Sequence, residues 1–220
     1  MATVIQVFIG AIVAILITIC IENLRKPKLQ FRIALPHDRG YQGRPARQAR
    51  FLGLDLVNKP LPWWARWMSR NAAIQAHGII TFHRLDGQNI FGRAMNIRWS
   101  GSPEPIAMSV EVGGNKISIV DPTRFTLTPR MDIYPGEAER LDVAARFDQE
   151  DECYAWSNEN YLSRPLWRNP DWKLPSGRYI VKVTIISAGQ KCAGLFRLIN
   201  DVPQEDFRIE SALPNDSIGE

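Results

Sequence analysis

The first 21 residues of the chain contain no charged side chain, and this feature limits the fold more than any other. From Thr3 to Ile21 the run is apolar except for Thr3, Gln6 and Thr18. As an α-helix it would be about 28 Å long, close to the thickness of about 30 Å of a bilayer's hydrocarbon core. A core helix of a soluble protein would carry a polar stripe with the helical period, and this run has none. The sequence therefore predicts a membrane-spanning helix over residues 1–21.

A cleaved signal peptide is the alternative for the same run. Signal peptides have a basic segment before the apolar run and small residues at the cleavage site. Here only the amino terminus supplies positive charge before the run, and Glu22-Asn23-Leu24-Arg25 follows it. Cys20 is not preceded by the small residue expected before a lipoprotein cysteine, because position 19 is Ile. We therefore expect the helix to be retained and Cys20 to face the membrane.

Basic residues follow the apolar run closely. They are Arg25, Lys26, Lys28 and Arg32, and Glu22 is the single acid among them. Positive charge next to a span stays on the cytoplasmic side of the membrane. We expect a single-pass protein of the cell (plasma or inner) membrane, with a short outside N-terminus and a cytoplasmic C-terminal domain.

The net charge of +4 is distributed unevenly along the chain. Residues 22–70 contain 11 Lys and Arg against 3 Asp and Glu, whereas residues 71–220 contain 16 against 20. Basic residues within a Debye length of an anionic leaflet contribute about 1 kcal/mol each to membrane binding. Two interpretations stay open for the basic region: a stop-transfer signal followed by a solvated linker, and direct contact with anionic lipid headgroups.

Short alternating segments separated by Gly and Pro turns make up the rest of the chain. Alternation and β-propensity predict strands at Leu29–Leu35, Leu52–Leu56, Ile74–Leu85, Ser109–Val112, Lys116–Val120, Phe125–Leu127, Met131–Tyr134, Leu141–Phe147, Cys153–Trp156, Arg178–Ser187 and Ala193–Ile199. Gly113-Gly114-Asn115 predicts a hairpin between two of them. Pro36–Arg50 is rich in Gly, Pro and Arg and is expected to be a loop. Such spacing is typical of an antiparallel β-sandwich.

Two segments carry a resemblance at the level of fold. Leu174–Ile185 has a Leu, a Gly turn and then Tyr179 at the start of a strand, and it resembles a late strand of immunoglobulin-like and fibronectin-like domains. Pro135–Phe147 resembles the turn and strand that precede it. The resemblance implies that Tyr179 packs and hydrogen-bonds across a corner, and it implies no activity.

The expected fold class is an N-terminal single transmembrane α-helix plus a mainly-β domain, an antiparallel immunoglobulin-like β-sandwich with long loops. Residues 22–50 are expected to form a basic juxtamembrane segment with the first strand and a loop. The sandwich domain is expected over residues 51–210, and a flexible tail over residues 211–220.

The segment Lys59–Arg70 concentrates aromatic side chains between arginines. Its members are Trp63, Trp64, Arg66, Trp67 and Arg70, and a helix would stack Trp63 on Trp67. The tryptophans would cap one end of the sandwich core, or enter the lipid headgroup region, or form a hot spot for a protein partner. The sequence favours the core cap as the first of these three interpretations.

A second segment with aromatic and arginine side chains lies in the Pro-rich stretch Glu159–Arg178. Its members are Tyr161, Arg164, Trp167, Arg168 and Trp172. Aromatic rings and arginines can form a binding surface, including one for single-stranded nucleic acid. The surrounding domain is net acidic, which disfavours nucleic acid as a partner. We expect these side chains to pack within a long loop between strands.

No catalytic or metal-binding set can be assembled from the sequence motifs. His77 and His83 share one face of a predicted strand but lie about 20 Å apart, too far for one zinc ion. Asp148, Glu150, Asp151 and Glu152, with Asn158–Asn160, offer oxygen ligands of the kind that Ca²⁺ binds. Their spacing matches no EF-hand loop, so a solvated loop is expected, and no metal or cofactor is predicted.

Cys153 and Cys192 lie on or beside predicted strands. In an oxidising compartment they could bridge the two sheets, whereas in the cytoplasm thiols stay reduced. The expected topology favours reduced thiols that act as small apolar side chains.

We expect a non-catalytic, membrane-anchored interaction module that holds a protein partner, or a second copy of itself, at the membrane face. Its other partner is the lipid bilayer, including anionic headgroups. An envelope or extracellular domain of reversed topology, serving assembly or adhesion, is the alternative, and a membrane-bound enzyme ranks third.

Overall fold

A computed structural model of the chain describes residues 2–41, 44–101, 107–112, 115–120, 129–162, 168–216 and 218. The first element is helix α1 (Ala2–Arg25). From Ile5 to Ile19 its apolar side chains are exposed, and none of its most apolar stretch is buried against the domain. The predicted apolar N-terminal helix is thus confirmed, and it continues one turn past Ile21. It is long and apolar enough to cross a membrane, and a signal sequence would satisfy the same criteria.

Fifteen strands, one short α-helix and three single turns of 3-10 helix, Trp63–Ala65, Pro170–Trp172 and Gln204–Asp206, follow α1 in the described part of the chain. In chain order the strands and the short α-helix are β1 (Leu29–Ile33), β2 (His37–Tyr41), β3 (Arg44–Asn58), β4 (Ala73–His83), β5 (Met95–Asn96), β6 (Arg98–Trp99), β7 (Ala107–Val112), β8 (Asn115–Val120), β9 (Met131–Ile133), β10 (Ala138–Phe147), β11 (Cys153–Ala155), α2 (Asn158–Leu162), β12 (Lys173–Leu174), β13 (Arg178–Ser187), β14 (Gln190–Ile199) and β15 (Arg208–Ser211).

Most strands belong to two antiparallel sheets. The first has the order β1-β3-β10-β11-β12, with β2 also paired to β3 and β6 to β10. The second has the order β15-β14-β13-β4-β5, with β9 also paired to β4. Strands β7 and β8 form a separate pair, as predicted, and the two glycines of their turn lie outside the described residues. Two antiparallel sheets are compatible with a β-sandwich, so the mainly-β prediction is confirmed.

The main core collects inward-facing side chains from both sheets. Leu54 and Leu141 are opposite one another in the first sheet, and Phe82 and Val183 come from the second. All four are fully buried. Strand β10 is buried on both faces along most of its length. This happens because a smaller cluster around Phe147 covers the face that points away from the main core.

The loop predicted at Pro36–Arg50 is wrong for the described residues of that segment. They form β2 and the first part of β3, which pair as antiparallel neighbours from His37 opposite Phe51. The His37 and Phe51 rings stack at 5.2 Å between centroids. Pairing to an already formed strand outweighs the weak local β-propensity of Gly and Arg. The strand predicted at Phe125–Leu127 lies outside the described residues.

Strand β4 departs from the alternation that the sequence indicates. Ala76, Ile80 and Phe82 point inward as predicted, but Ile74 is exposed. The register of β4 against β9 shifts between Ala73 and Ala76, and Gln75 has a positive φ of 53°. Such a bulge reverses the side-chain alternation on one side of it. The backbone N–H of Gln75 donates to Oδ1 of Asp132 at 2.7 Å, which holds this conformation.

Tyr179 makes the corner contact that the resemblance implies. It is buried at the start of β13, and its hydroxyl donates to the carbonyl oxygen of Pro175 at 2.7 Å. The bond satisfies a buried hydroxyl, and it fixes the chain that enters β13 against the strand itself.

Candidate functional site at the helix exit

The chain passes from α1 to β1 through residues 25–28, which we call the exit connection. The loop that joins β3 to β4, residues 59–72, is hydrogen-bonded to it at both ends, and we call it the tryptophan loop. The backbone N–H of Asn71 donates to the carbonyl oxygen of Arg25 at 2.7 Å. The backbone N–H of Lys59 donates to the carbonyl oxygen of Lys28 at 2.9 Å. The domain is therefore attached to the end of the helix by backbone bonds as well as by the chain itself.

Asn58, the last residue of β3, is fully buried and joins three segments at this point. Its Oδ1 accepts from the backbone N–H of Lys28 at 3.1 Å. Its Nδ2 donates to the carbonyl oxygens of Asn71 at 3.0 Å and Ile133 at 3.2 Å. A buried polar group left without a partner costs about 1–3 kcal/mol, so these bonds favour one arrangement of the exit connection, the tryptophan loop and β9.

The tryptophans of the loop are on the outside of the domain. Trp63, Trp64 and Trp67 are 78%, 55% and 75% exposed, respectively. The interpretation that they cap the sandwich core is therefore wrong. Two of the three sequence interpretations remain for them, contact with lipid headgroups and contact with a protein partner.

The local conformation of the loop explains this exposure. Trp63–Ala65 form a single turn of 3-10 helix that starts after Pro62, so the predicted α-helical stacking of Trp63 on Trp67 does not form. Ala65 is the residue of this turn that faces inward, and it is fully buried. A small side chain at the inward position lets the backbone lie close to the domain while the large side chains point to solvent.

The two arginines of the loop have different environments. Arg66 is exposed, and it forms no ion pair with any residue that the structure describes. Arg70 is half-buried, and its Nη1 donates to the carbonyl oxygen of Lys26. Burial lowers the pKa of the Arg70 guanidinium from its ordinary value. Arg70 therefore supports the exit connection, whereas Arg66 presents its charge to the surroundings.

The basic residues predicted to flank the membrane lie at the same end of the domain. Arg25 forms an exposed ion pair with Glu22 at 3.6 Å, and Lys26 donates to Oδ1 of Asn23 at 2.8 Å. Lys28 and Arg32 are exposed. The structure thus brings the flanking cations together with the tryptophan loop, which the sequence considered separately.

The described side chains of the second aromatic segment are mostly inside the protein. Tyr161 and Trp172 are only 2% and 4% exposed, so neither belongs to an accessible surface. Trp172 packs against Phe91, and the Arg93 guanidinium lies 4.3 Å from the centre of its ring. Arg168 is half-buried and lies over the Phe147 ring. Arg164 and Trp167 lie outside the described residues.

The histidines and the acidic run are engaged with separate partners. His83 is buried, and its ring nitrogens contact the Gly87 carbonyl at 2.9 Å and the Thr81 hydroxyl at 2.8 Å, whereas His77 is exposed. Glu150 pairs with Arg168 and Glu152 with Lys173. Within the ranges that the structure describes, no three His, Cys, Asp or Glu side chains converge to hold a metal ion.

Cys153 and Cys192 are free thiols in the structure. Cys153 is buried in the main core, and burial raises the pKa of its thiol. A buried thiol with a raised pKa is a poor nucleophile, because the thiolate is the reactive form. Cys192 is partly buried, and its Sγ lies 3.6 Å from the Leu29 carbonyl oxygen.

A buried ion pair is a feature that the sequence did not indicate. Arg98 in β6 and Asp142 in β10 are both nearly fully buried, and Nη1 of Arg98 donates to Oδ2 of Asp142. The Ser100 hydroxyl donates to Oδ1 of Asp142 at 2.5 Å. Burial raises the pKa of the Asp142 carboxyl, although the neighbouring Arg98 opposes this effect. The pairing joins residues 44 positions apart, so no local motif announces it.

One open cavity of about 390 Å³ lies beside β4 and β5. Its lining includes His77, Asn96 and Glu159. The Glu159 carboxylate accepts from both the backbone N–H and the side-chain amide of Asn96 at 2.8 Å. Among the described residues of the lining Glu159 is the one acid, and these bonds use its carboxylate to fix β5 to α2.

No protein-family model, no curated protein and no solved structure matches this chain.

The helix exit is therefore the candidate functional site of the described part of the chain. It combines an apolar helix, exposed tryptophans and exposed cations within one hydrogen-bonded unit. Such a unit can bind apolar and anionic groups at the same time, which is the chemistry of a membrane interface or of a protein surface with the same pattern.

Proposed function

We propose that the protein is a single-pass membrane protein whose β domain is a non-catalytic interaction module held at the membrane face. The observation that carries this proposal is the backbone bonding of the exit connection to the tryptophan loop. A module joined by an unbonded linker would sample many orientations, whereas bonds at Arg25 and Lys28 restrict the domain relative to α1. A restricted orientation is useful to a protein that presents one surface to a partner at the membrane.

The proposal requires that α1 is not cleaved off and that it crosses the membrane. From Ile5 to Ile19 its apolar side chains are exposed, and the packed domain offers them no cover. The side-chain hydroxyl of Thr18 donates to the Ala14 carbonyl oxygen at 2.9 Å, so this polar group is satisfied inside the helix, as a lipid environment requires.

We propose that the β domain lies on the cytoplasmic side of the membrane. Lys26, Lys28 and Arg32 are exposed just after the span, and this pattern supports the positive-inside orientation. The free thiols at Cys153 and Cys192 are compatible with that compartment.

The fold proposed is an immunoglobulin-like sandwich. The corner bond from Tyr179 to Pro175 and the two antiparallel sheets support it. This fold hosts many binding modules, so it fits an interaction function, but the function rests on the helix exit and not on the fold.

The use of the buried ionisable groups supports the proposal of a binding role rather than catalysis. Asp142 is bonded to Arg98 and Ser100, and His83 is bonded to Thr81 and the Gly87 carbonyl. These groups stabilise the fold, so their environment does not argue for a general acid or base.

Alkaline carbonate extraction of membranes that contain the full chain with a C-terminal tag tests the anchoring. We expect the wild-type chain to stay in the membrane pellet with its N-terminus intact by mass. A charge at the centre of a span costs about 2.5–3.5 kcal/mol on the insertion scale, so Ile12→Lys combined with Leu16→Lys should release the chain. A wild-type chain that lacks residues 1–21, or that carbonate releases, would contradict the proposal.

Crosslinking in intact cells tests the interaction role. We expect the full chain to crosslink to a protein partner or to a second copy, and the released double variant to lose that product. A chain that stays uncrosslinked at the membrane would contradict the interaction role while leaving the anchoring intact.

A further inference from the structure

The tryptophan loop is exposed, and we propose that its occupant is the headgroup layer of the same bilayer that α1 crosses. In this arrangement the rings of Trp63, Trp64 and Trp67 lie at the boundary between headgroups and acyl chains. Arg66 and the exposed lysines of the exit connection contact lipid phosphates. This inference rests on the proposed membrane anchoring and adds the orientation of the domain and a lipid partner.

The length of α1 sets the depth of the exit connection. The uncharged run ending at Ile21 is about 28 Å long and fills a hydrocarbon core of about 30 Å. Arg25 is four residues further, or about 6 Å along the helix axis. Each headgroup layer is about 5–8 Å thick, so the carbonyl of Arg25 lies at headgroup depth. Because the Asn71 N–H is bonded to that carbonyl, the end of the tryptophan loop lies at the same depth.

The lengths of the chain segments limit how far the tryptophans can be from this point. Trp63 follows Lys59 by four residues, and Trp67 precedes Asn71 by four residues. Four residues span at most about 14 Å even when fully extended. Since Lys59 and Asn71 are both bonded to the exit connection, the two rings stay close to the place where the chain enters the membrane.

The side chains at this end of the domain are those that a membrane interface favours. Trp and Tyr are enriched at both interfaces of membrane proteins, because their rings are amphipathic. Tyr134 and Ile74, 55% and 54% exposed, add to the three tryptophans. Tyr134 opens the turn in which the Gly136 N–H donates to the Asn58 carbonyl oxygen at 2.8 Å, which places this turn at the helix exit. Clustered exposed aromatics of this kind mark an interaction surface.

The charge of this surface suits lipid phosphates. Arg66 and Lys28 are exposed, and neither forms an ion pair with a described residue. Of the nearby acids, Glu22 pairs with Arg25, and Asp132 accepts from the Gln75 N–H. Glu137 is exposed in the turn beside Asn58, so the surface carries one acid among its cations. Cations beside exposed aromatics match an anionic headgroup layer.

A protein occupant fits this surface less well. The tryptophan loop is attached beside the exit of the span, and the bilayer already occupies the space around that exit. A protein would have to displace headgroups in order to reach Trp63 and Trp67. We therefore assign the surface to lipid and treat the protein occupant as an outcome of the test.

Tryptophan fluorescence of the full chain in lipid nanodiscs tests the inference. The emission of the loop is the difference between wild type and the variant Trp63→Phe, Trp64→Phe, Trp67→Phe. We expect this emission to shift to shorter wavelength in nanodiscs relative to mild detergent at the same pH. We also expect it to be quenched by lipids brominated near the headgroup, and to be protected from aqueous acrylamide.

A tryptophan at the far end of the domain is the matched control. Leu85 is exposed and follows the end of β4, and ten steps along that strand from Ala73 cover about 33 Å. Leu85→Trp in the triple-Phe background should respond to acrylamide and not to the brominated lipids. Near-UV circular dichroism checks that both variants keep the packed core.

A comparison of an anionic lipid with a zwitterionic lipid tests the proposed contacts between cations and lipid phosphates. Nanodiscs with phosphatidylglycerol should protect the loop from acrylamide more than phosphatidylcholine does, and Arg66→Gln should reduce that difference. No difference between the two lipids, with quenching retained, would overturn the phosphate contacts.

The outcomes separate this inference from the anchoring proposal. If the chain resists carbonate but the loop emission stays accessible to acrylamide and insensitive to brominated lipid, the inference is overturned and the anchoring stands. The surface would then be open to a protein partner. If the chain does not remain in the membrane at all, the anchoring proposal fails first.

Discussion

The tryptophan loop and the segment from Tyr161 to Trp172 contain the same kinds of side chains, yet they have opposite environments. Trp63 and Trp67 are largely exposed, whereas Tyr161 and Trp172 are buried. Buried rings of the second segment have arginines from other parts of the chain above them. Arg98 lies 4.3 Å from the centre of the Tyr161 ring, and Arg93 lies at the same distance from Trp172.

The difference shows that composition does not decide whether an aromatic side chain is buried. The second segment is covered because residues from the connection between β4 and β5, such as Phe91 and Arg93, reach over it. The tryptophan loop is bonded to the exit connection and to Asn58, but only Ala65 of its 3-10 turn faces the domain. Firm attachment with outward-facing rings is the arrangement expected of a surface that binds a partner.

The largest expected effect is on stability in the buried segment. Trp172→Ala removes a large core side chain and should lower the free energy of unfolding by about 3–5 kcal/mol. Trp67→Ala is its matched control and should change it by no more than about 0.5 kcal/mol, because an exposed side chain has little contact to lose. Denaturant unfolding of the full chain in detergent measures both. Equal losses of unfolding free energy in the two variants would contradict the assignment of Trp172 as buried and Trp67 as exposed.

The buried ion pair of Arg98 and Asp142 gives a second test of the buried segment, because Arg98 lies over the Tyr161 ring. Asp142→Asn leaves the Arg98 charge buried without its partner and should cost about 3–5 kcal/mol of unfolding free energy. The double variant with Arg98→Met should recover much of that loss, because no uncompensated charge remains. If the double variant is no more stable than Asp142→Asn in the same unfolding measurement, the ion pair is not the cause.

Asn58 tests the attachment of the tryptophan loop. Asn58→Ala leaves the Lys28 N–H and two carbonyl groups without their partner and should cost about 1–3 kcal/mol. Hydrogen exchange by mass spectrometry should show faster exchange in residues 59–72 and 25–28 than in β13. Asn200→Ala is the control, since Asn200 is also fully buried but bonds to Asp151 and Pro175. Unchanged exchange in the tryptophan loop of Asn58→Ala would show that the loop is held in another way.

The smallest effect concerns a contact that touches neither aromatic segment. Asp216 accepts two bonds at 2.6 Å from Arg197, and these bonds hold the pKa of its carboxyl below the usual value. A depressed folded-state pKa contributes stability above the unfolded pKa of about 3.9, and this contribution is lost as pH falls through the folded value. The gap in melting temperature between wild type and Asp216→Asn should therefore close on acidification from pH 7. A gap that grows on acidification would contradict this sign.

Much of the fold could be predicted from the sequence, because its signals are local. Apolar alternation located β10, β13 and β14 as strands, although β10 is buried on both faces along most of its length. The uncharged run of α1 reflects the absence of buried contacts with the domain. Predictions from local sequence signals failed where pairing with another strand determines the structure. Strand β2, in the Gly-, Pro- and Arg-rich segment Pro36–Arg50, forms because it pairs with β3. Ile74 points outward because Asp132 holds a bulge at Gln75.

The candidate site was only half predictable for the same reason. Its side chains were visible as a tryptophan and arginine cluster, and the flanking cations as a separate feature. The tryptophan loop and the flanking cations lie together because Asn58 bonds to groups 13, 30 and 75 residues away. No sequence motif encodes such separations. The inward position of Ala65 is likewise set by packing of the loop backbone and not by periodicity.

Cysteine labelling of intact membranes is the direct test of whether the helix-exit end of the domain faces the bilayer. Ser69→Cys places a thiol in the tryptophan loop without removing a tryptophan, and Leu85→Cys places one at the far end, both in a background with Cys20→Ser and Cys192→Ser. An impermeant maleimide applied to the domain side should label position 85 much faster than position 69, and detergent should bring the two rates together. Equal rates in intact membranes would contradict the claim.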